Sequence, residues 1–176
     1  MFRFRTALFA SLLLLSAAEA SAKDTLLVGA TVRVDAKTIL DDATVHIRDG
    51  KIAAVGPSAK VRAPANATTI DATGKVITAG LIATGTRLGL IEVNAVGHTS
   101  EGEFDNSHPI QAAYRVSDGY NPDSVVIDVA RNGGITSTIS APRGGLVSGQ
   151  SGWFTTGEGS TAANEVKGSA ALHINL

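Results

Sequence analysis

Between residues 24 and 77 the pattern of apolar and polar positions is strand and turn, with stretches at the even spacing of strands that bury one face. Residues 25–34 are rich in β-branched side chains, with Val28, Val32 and Val34 at even spacing, and are expected to form a strand. Residues 43–48 place Val45 and Ile47 on one face of a second strand and Thr44, His46 and Arg48 on the other. Asp49-Gly50 follows, a two-residue hairpin turn, because glycine tolerates positive φ. Residues 51–55 form the return strand, closed by Gly56-Pro57. Residues 63–69 are a connector with Pro64, 69–71 a short strand and Gly74 a turn. Residues 76–82 carry the chain into a further strand.

The pattern then changes. Residues 88–123 show little periodicity and are expected to be a long connection. Residues 121–132 read as a helix: Asn121 is placed to cap it, Pro122 suits the first helical position, and Asp123 favours the positive end of the dipole. Val125, Val126, Val129 and Ala130 form its apolar stripe, and Gly133-Gly134 ends it in a left-handed cap. Residues 135–141 are a strand, 143–152 a glycine-rich loop, and 153–156 and 170–176 short strands. Helix, glycine, strand is half of a parallel βα unit.

Residues 71–90 read D-A-T-G-K-V-I-T-A-G-L-I-A-T-G-T-R-L-G-L. This run resembles the diagnostic segment of the amidohydrolase superfamily, D-x-x-G-x-x-V-x-P-G-L-I-D-x-H-x-H. Aligned on Gly80-Leu81-Ile82, Ala79 stands for the proline, Ala83 for the aspartate, and Gly85 and Arg87 for the two metal-binding histidines. The D-G-K-I-x-x-V-G-P hairpin at 49–57 and A-R-N-G-G-I-T-S-T at 130–138 resemble further segments of the family, in the same order. The neighbourhoods of residues 88–93 and 121–122 resemble an exported branch in which other members also depart from H-x-H.

The resemblance implies a small β-sandwich flanking a (β/α)8 barrel. It implies a divalent metal, zinc or another, held at the C-terminal end of the first barrel strand, which makes hydroxide available from bound water near neutral pH. Gly85 offers no ligand, and the permanent charge of Arg87 repels a cation. The later βα units of the family carry the remaining ligands and the catalytic base, and they are not in this sequence.

Glu92, His98, Glu101, Glu103, Asp105 and His108 could serve a substitute metal site, but their spacing fits no ligand frame, and a solvated loop accounts for them. Arg143-Gly144-Gly145 and the 148–152 run lack the phosphate-loop pattern and read as a tight turn. Ser148 and Ser151 have no evident base partner, and His173 reads as a packed or solvent-facing residue of a strand. No catalytic, cofactor-binding or metal residue is assigned, and no cofactor is expected in this chain. Asn66-Ala67-Thr68 matches a glycosylation sequon by chance.

Composition narrows the setting. A formal charge of −1 gives no reason to expect nucleic acid or an anionic membrane as partner. The absence of cysteine excludes thiolate metal sites and thiol nucleophiles. Arg3 and Arg5 precede an apolar run at 7–15, followed by Ala18-Glu19-Ala20 and Ala20-Ser21-Ala22. This is a secretory leader, with cleavage before Ser21 or Lys23, rather than a membrane anchor. A bacterial periplasmic address follows, with no stable membrane span after cleavage.

The 176 residues support a domain with a core, but a complete barrel typically needs about 250. The length has three readings: a truncated frame or fragment, an N-terminal portion, or a chain completed by a partner. The expected fold is mixed α/β: leader 1–22, a β-sandwich segment at 23–78, and the first βα units of an incomplete TIM-like barrel at 79–176. The expected function is hydrolysis of non-peptide carbon–nitrogen bonds in small amide-type substrates, by a protein of which this chain is the N-terminal part. Alone it is expected to be inactive. The alternative is a non-catalytic exported binding or assembly module on the same scaffold. Oligomeric state is not legible.

Overall fold

A computed structural model describes residues 24–62, 64–93, 96–105 and 107–175; the leader expected at 1–22 lies outside them. The molecule is sheet-rich with few and short helices, and it divides into two compact units, Met1–Thr78 and Ala79–Leu176.

The first unit is one sheet. Its strands are β1 (Asp24–Arg33), β2 (Ile39–Arg48), β3 (Lys51–Pro57), β4 (Thr68–Asp71) and β5 (Val76–Ile77). The order is β3-β2-β1-β4, with β5 also on β1. β1–β2 and β2–β3 are antiparallel, and β4 and β5 run parallel to β1. The hairpin turn takes positive φ at both Asp49 (50°) and Gly50 (73°), as a two-residue turn between twisted strands requires.

β4 and β5 share one edge of β1 because the chain loops out between them. Asp71 accepts a hydrogen bond from the Thr73 amide (2.9 Å), which starts the turn, and Gly29 on β1 makes room for it. A Cβ at Gly29 would stand 2.6 Å from Thr73 Oγ1, and the residue has φ +80°. Only glycine fits both demands.

The core of this unit is Ala30, Val32, Ala43, Val45 and Ala72, flanked by Leu27, Leu40, Ile47 and Ile77. The polar face of β2 is not left to water: Thr44 and His46 are buried as fully as Val45. Register explains it. Asp24 lies opposite Arg48, and His46 is on the same face two residues earlier, so the Asp24 carboxylate bonds His46 Nε2 (2.5 Å) and Arg48 Nε (2.9 Å). Thr44 donates to Ser58 (3.0 Å).

The second unit contains β6 (Leu81–Thr86), a 3-10 turn (Gly97–Thr99), β7 (Glu103–Phe104), α1 (Val116–Gly119), α2 (Val125–Asn132), β8 (Ile135–Ser140), β9 (Arg143–Gly144), β10 (Val147–Thr155), α3 (Thr161–Asn164) and β11 (Glu165–Ile174). The main sheet has the order β11-β10-β8-β6, and β7 and β9 form a separate parallel ribbon. β6 and β8 are parallel, with α2 in the crossover: one βαβ unit, as the helix–glycine–strand pattern predicts. β10 is antiparallel to both β8 and β11.

Four expectations need correction here. The helix starts at Val125, not 121, because the Ser124 side chain is the cap, accepting from the Val126 amide (3.3 Å). Asn121 instead closes a turn, accepting from the Asp123 amide (3.0 Å). The buried face of α2 is Ile127, 1 % exposed, while Val125 and Val129 are both 70 % exposed. The inward stripe is Ser124, Ile127 and Arg131, and Arg131 donates to the Thr156 carbonyl (2.6 Å).

The 88–123 connection is not merely a solvated loop. Leu90, Val116 and Tyr120 join Ile127 and Phe154 in the core of this unit, with the Tyr120 and Phe154 rings stacked 3.8 Å apart. The 148–152 run is strand, not loop, and continuous with Trp153–Thr155 in β10. Its small residues admit neighbouring backbone: a Cβ at Gly149 would lie 2.7 Å from the Tyr114 carbonyl oxygen.

Candidate functional site

In parallel sheets the C-terminal strand ends are where loops gather and sites form. Here those ends are β6 at Thr86 and β8 at Ser140. They are laced by hydroxyls. Thr86 and Thr138 share a hydrogen bond (2.6 Å), and Ser140 Oγ donates to the Leu88 carbonyl (2.6 Å). Thr138 and Ser140 are fully buried, and the Ala141 amide bonds the Thr86 carbonyl (2.8 Å).

Arg87 leaves β6 from this edge. Its side chain is only 13 % exposed. Nη1 donates to Glu103 Oε2 (3.1 Å) and Nη2 to the Glu101 carbonyl (3.1 Å), while Nε is buried without a hydrogen-bond partner. The second oxygen of Glu103 is taken by Arg143, through Nε (3.1 Å) and Nη2 (2.9 Å). The hydrogen bonds of Arg143, together with the charge of Arg87, hold the Glu103 carboxyl below its ordinary range against the opposing effect of burial.

Backbone builds this cluster. β7 pairs with β9 so that Glu103 lies opposite Arg143, and the Arg143 amide bonds the Gly102 carbonyl (2.9 Å). Phe104 packs edge-on against Tyr114, ring centroids 5.1 Å apart.

The other sequence candidates are not drawn together. Glu92 accepts from Asn121 Nδ2 (3.0 Å). Asp105 and His108 sit in an exposed turn around Ser107, whose amide and hydroxyl both bond Asp105. Glu101 contributes its carbonyl to Arg87 and, with Glu92, lines an open cleft of about 330 Å³. The side chain of His98 lies outside the described residues. Ser148 donates to the Gly144 carbonyl (2.7 Å) and Ser151 to the Ala171 carbonyl (3.3 Å), so both hydroxyls are spent on backbone. His173 Nε2 is buried without a partner.

Gly85 and Arg87, at the positions the resemblance gives to metal-binding histidines, do not fit a divalent cation. Gly85 has no side chain and φ +65°, and Arg87 brings a positive charge. Among the described residues no three His, Asp or Glu side chains lie close enough to share a metal. Sequence reasoning weighed Arg87, Glu103 and Arg143 separately and missed their union. A cation in place of a ligand, followed by acids in the next connection, was the available signal.

No family model matches the chain, and no curated protein does. Solved structures do. An amidohydrolase from Thermotoga maritima MSB8 superposes with a TM-score of 0.74 at 26% identity, over 85% of this chain and 38% of that one. The chain thus spans 38% of the length of that amidohydrolase. A molinate hydrolase (30% identity, TM-score 0.34) covers 39% of this chain and 15% of its own. A prolidase-like protein from Bifidobacterium longum (36% identity, TM-score 0.35) covers 38% of this chain and 17% of its own. The likeness to the Thermotoga amidohydrolase supports a place for this chain in the amidohydrolase superfamily of hydrolases. No helix among the described residues is long and apolar enough to cross a membrane.

Proposed function

We propose that this chain is the N-terminal part of an exported amidohydrolase-type protein that hydrolyses non-peptide carbon–nitrogen bonds in small amide-type molecules. On this reading the first unit belongs to a flanking β-sandwich and the second to the opening of a (β/α)8 barrel. The observation that carries it is the superposition on the Thermotoga amidohydrolase over 85% of the chain. On this reading the chain alone is inactive. A water must be activated by a metal or a general base, and the strand end that opens the barrel presents glycine and arginine.

A second reading, a non-catalytic binding or assembly module in the periplasm, draws support from the Arg87–Glu103–Arg143 cluster at that same strand end. The intact mass of the periplasmic product separates the two: a product much longer than this sequence favours the hydrolase, and one of this length without its leader favours the module. The purified chain is assayed on N-acyl amino acids and cyclic amides, with zinc, nickel or manganese and with chelator. The expected result is no turnover, and none from a Gly85→His/Arg87→His double variant. Chelator-sensitive turnover by the wild type, with stoichiometric metal, would show ligands elsewhere and reject inactivity. Export is tested by sequencing the N-terminus of the periplasmic product: Ser21 or Lys23 is expected, and an intact Met1 overturns the leader.

A further inference from the structure

We propose that the guanidinium of Arg87 is a built-in cation standing where this scaffold otherwise holds a metal ion, and that it clasps the connection between β6 and α2 onto the strand ends through Glu103. The inference rests on the amidohydrolase reading of the scaffold, and it explains the misfit at Gly85 and Arg87 as a substitution of one cation for another.

Three observations carry it. The first is position. Arg87 follows the last residue of β6 directly, at the edge where β6 and β8 end together, and its side chain is mostly withdrawn from solvent. The second is the donor set. The guanidinium draws in two oxygens from one stretch of the connection, the Glu103 carboxylate and the Glu101 carbonyl, each at 3.1 Å. Carboxylate and carbonyl oxygens are what a hard cation gathers. A planar guanidinium takes them through directed N–H bonds instead. The third is closure. Arg143 occupies the other Glu103 oxygen, so the carboxylate is held from both sides.

An ordinary surface ion pair would contribute little. This one differs because Arg87 is buried to its Nε, so loss of Glu103 leaves a charge away from water. The clasp also carries backbone with it. The Glu101 amide bonds the Leu90 carbonyl (2.7 Å), and the Arg143 amide bonds the Gly102 carbonyl (2.9 Å). Holding Glu103 therefore holds both ends of a segment whose neighbours Leu90, Val116 and Tyr120 build the core.

The test is amide hydrogen exchange on the full chain, read at Glu101, Phe104 and Arg143, for wild type, Arg87→Met, Arg87→Lys, Glu103→Gln and the Arg87→Met/Glu103→Gln double variant. Exchange at these amides is expected to rise at least about tenfold in Arg87→Met and in Glu103→Gln, with Thr138 and Ile139 in β8 still protected. The double variant is expected to be no faster than either single one, because both remove the same clasp. Arg87→Lys retains charge without the fork and is expected to fall between. If Arg87→Met does not fold, Glu103→Gln and Arg87→Lys decide. Exchange unchanged from wild type in the variants overturns the clasp. Zinc bound by the wild type and lost in Glu103→Gln overturns it too, since Glu103 would then be a metal ligand. Hydrolysis by the wild type would reject only the inactivity stated above.

Discussion

Asp24 and His46, 22 positions apart in sequence, share a 2.5 Å hydrogen bond on a buried face of the first sheet. Arg48 adds a second bond to the same carboxylate oxygen, at 2.9 Å. The His46 and Arg48 bonds hold the Asp24 carboxyl below its ordinary range, and burial opposes them only in part. A carboxyl depressed in the folded state stabilises fully above its unfolded value, about 3.9, and loses that contribution as pH falls through the folded value. Asp24→Asn is therefore expected to lower the melting temperature at pH 7. The gap to wild type should narrow as pH drops below about 4. Melts at pH 7 and pH 3 check this; an equal gap at both would show that the carboxylate charge plays no part.

Helix α2 is oriented by Ile127. Ile127→Ala removes a side chain that is 1 % exposed among Leu90, Val116, Tyr120 and Phe154. Its expected cost is about 2–5 kcal/mol. Val129→Ala, at a residue 70 % exposed, should stay within about 0.5 kcal/mol. Urea unfolding of the two variants compares the two faces, and similar costs would place the helix in a different phase.

The helix start is set by Ser124. Ser124→Ala removes the acceptor for the Val126 amide, with an expected loss of about 1 kcal/mol. Asn121→Ala should act differently: it frees Glu92 and the Asp123 amide and leaves the first turn of the helix protected. Amide exchange at Val126 reads the distinction, and equal fraying in both variants would return the cap to Asn121.

Gly149 combines φ +112° with the Tyr114 carbonyl pressed against its Cα face. Gly149→Ala requires both a strained backbone and a shift of that carbonyl. The expected destabilisation is at least about 1–3 kcal/mol, the scale of backbone strain alone. Thermal or urea unfolding measures it; a neutral result would mean that the 112–115 segment yields freely.

Much of the fold was legible because its causes are local. Asp49-Gly50 dictates its own turn, β-branched alternation marks β1 to β3, and Gly133-Gly134 ends a helix before a strand wherever they occur. The motif around Gly80-Leu81-Ile82 resembles the amidohydrolases, and it is an amidohydrolase on which 85% of the chain superposes. The replacement of two histidines by Gly85 and Arg87 was equally plain. What the tertiary structure decided rests on contacts across long sequence separations. Ile127 faces inward rather than Val125 and Val129 because Phe154 and Tyr120, from other elements, form the surface it meets. The 88–123 connection has no period, yet it supplies core residues, since irregular backbone can bury side chains without repeating. Ser148 to Gly152 is strand because β11 runs along one side of it while the 110–115 connection bridges the other, where the Gln150 amide bonds the Tyr114 carbonyl, and β8 takes over only from Gly152. Arg87, Glu103 and Arg143 became one cluster only when β7 paired with β9, for ionic contacts depend on distance in space and leave no periodic trace along the chain.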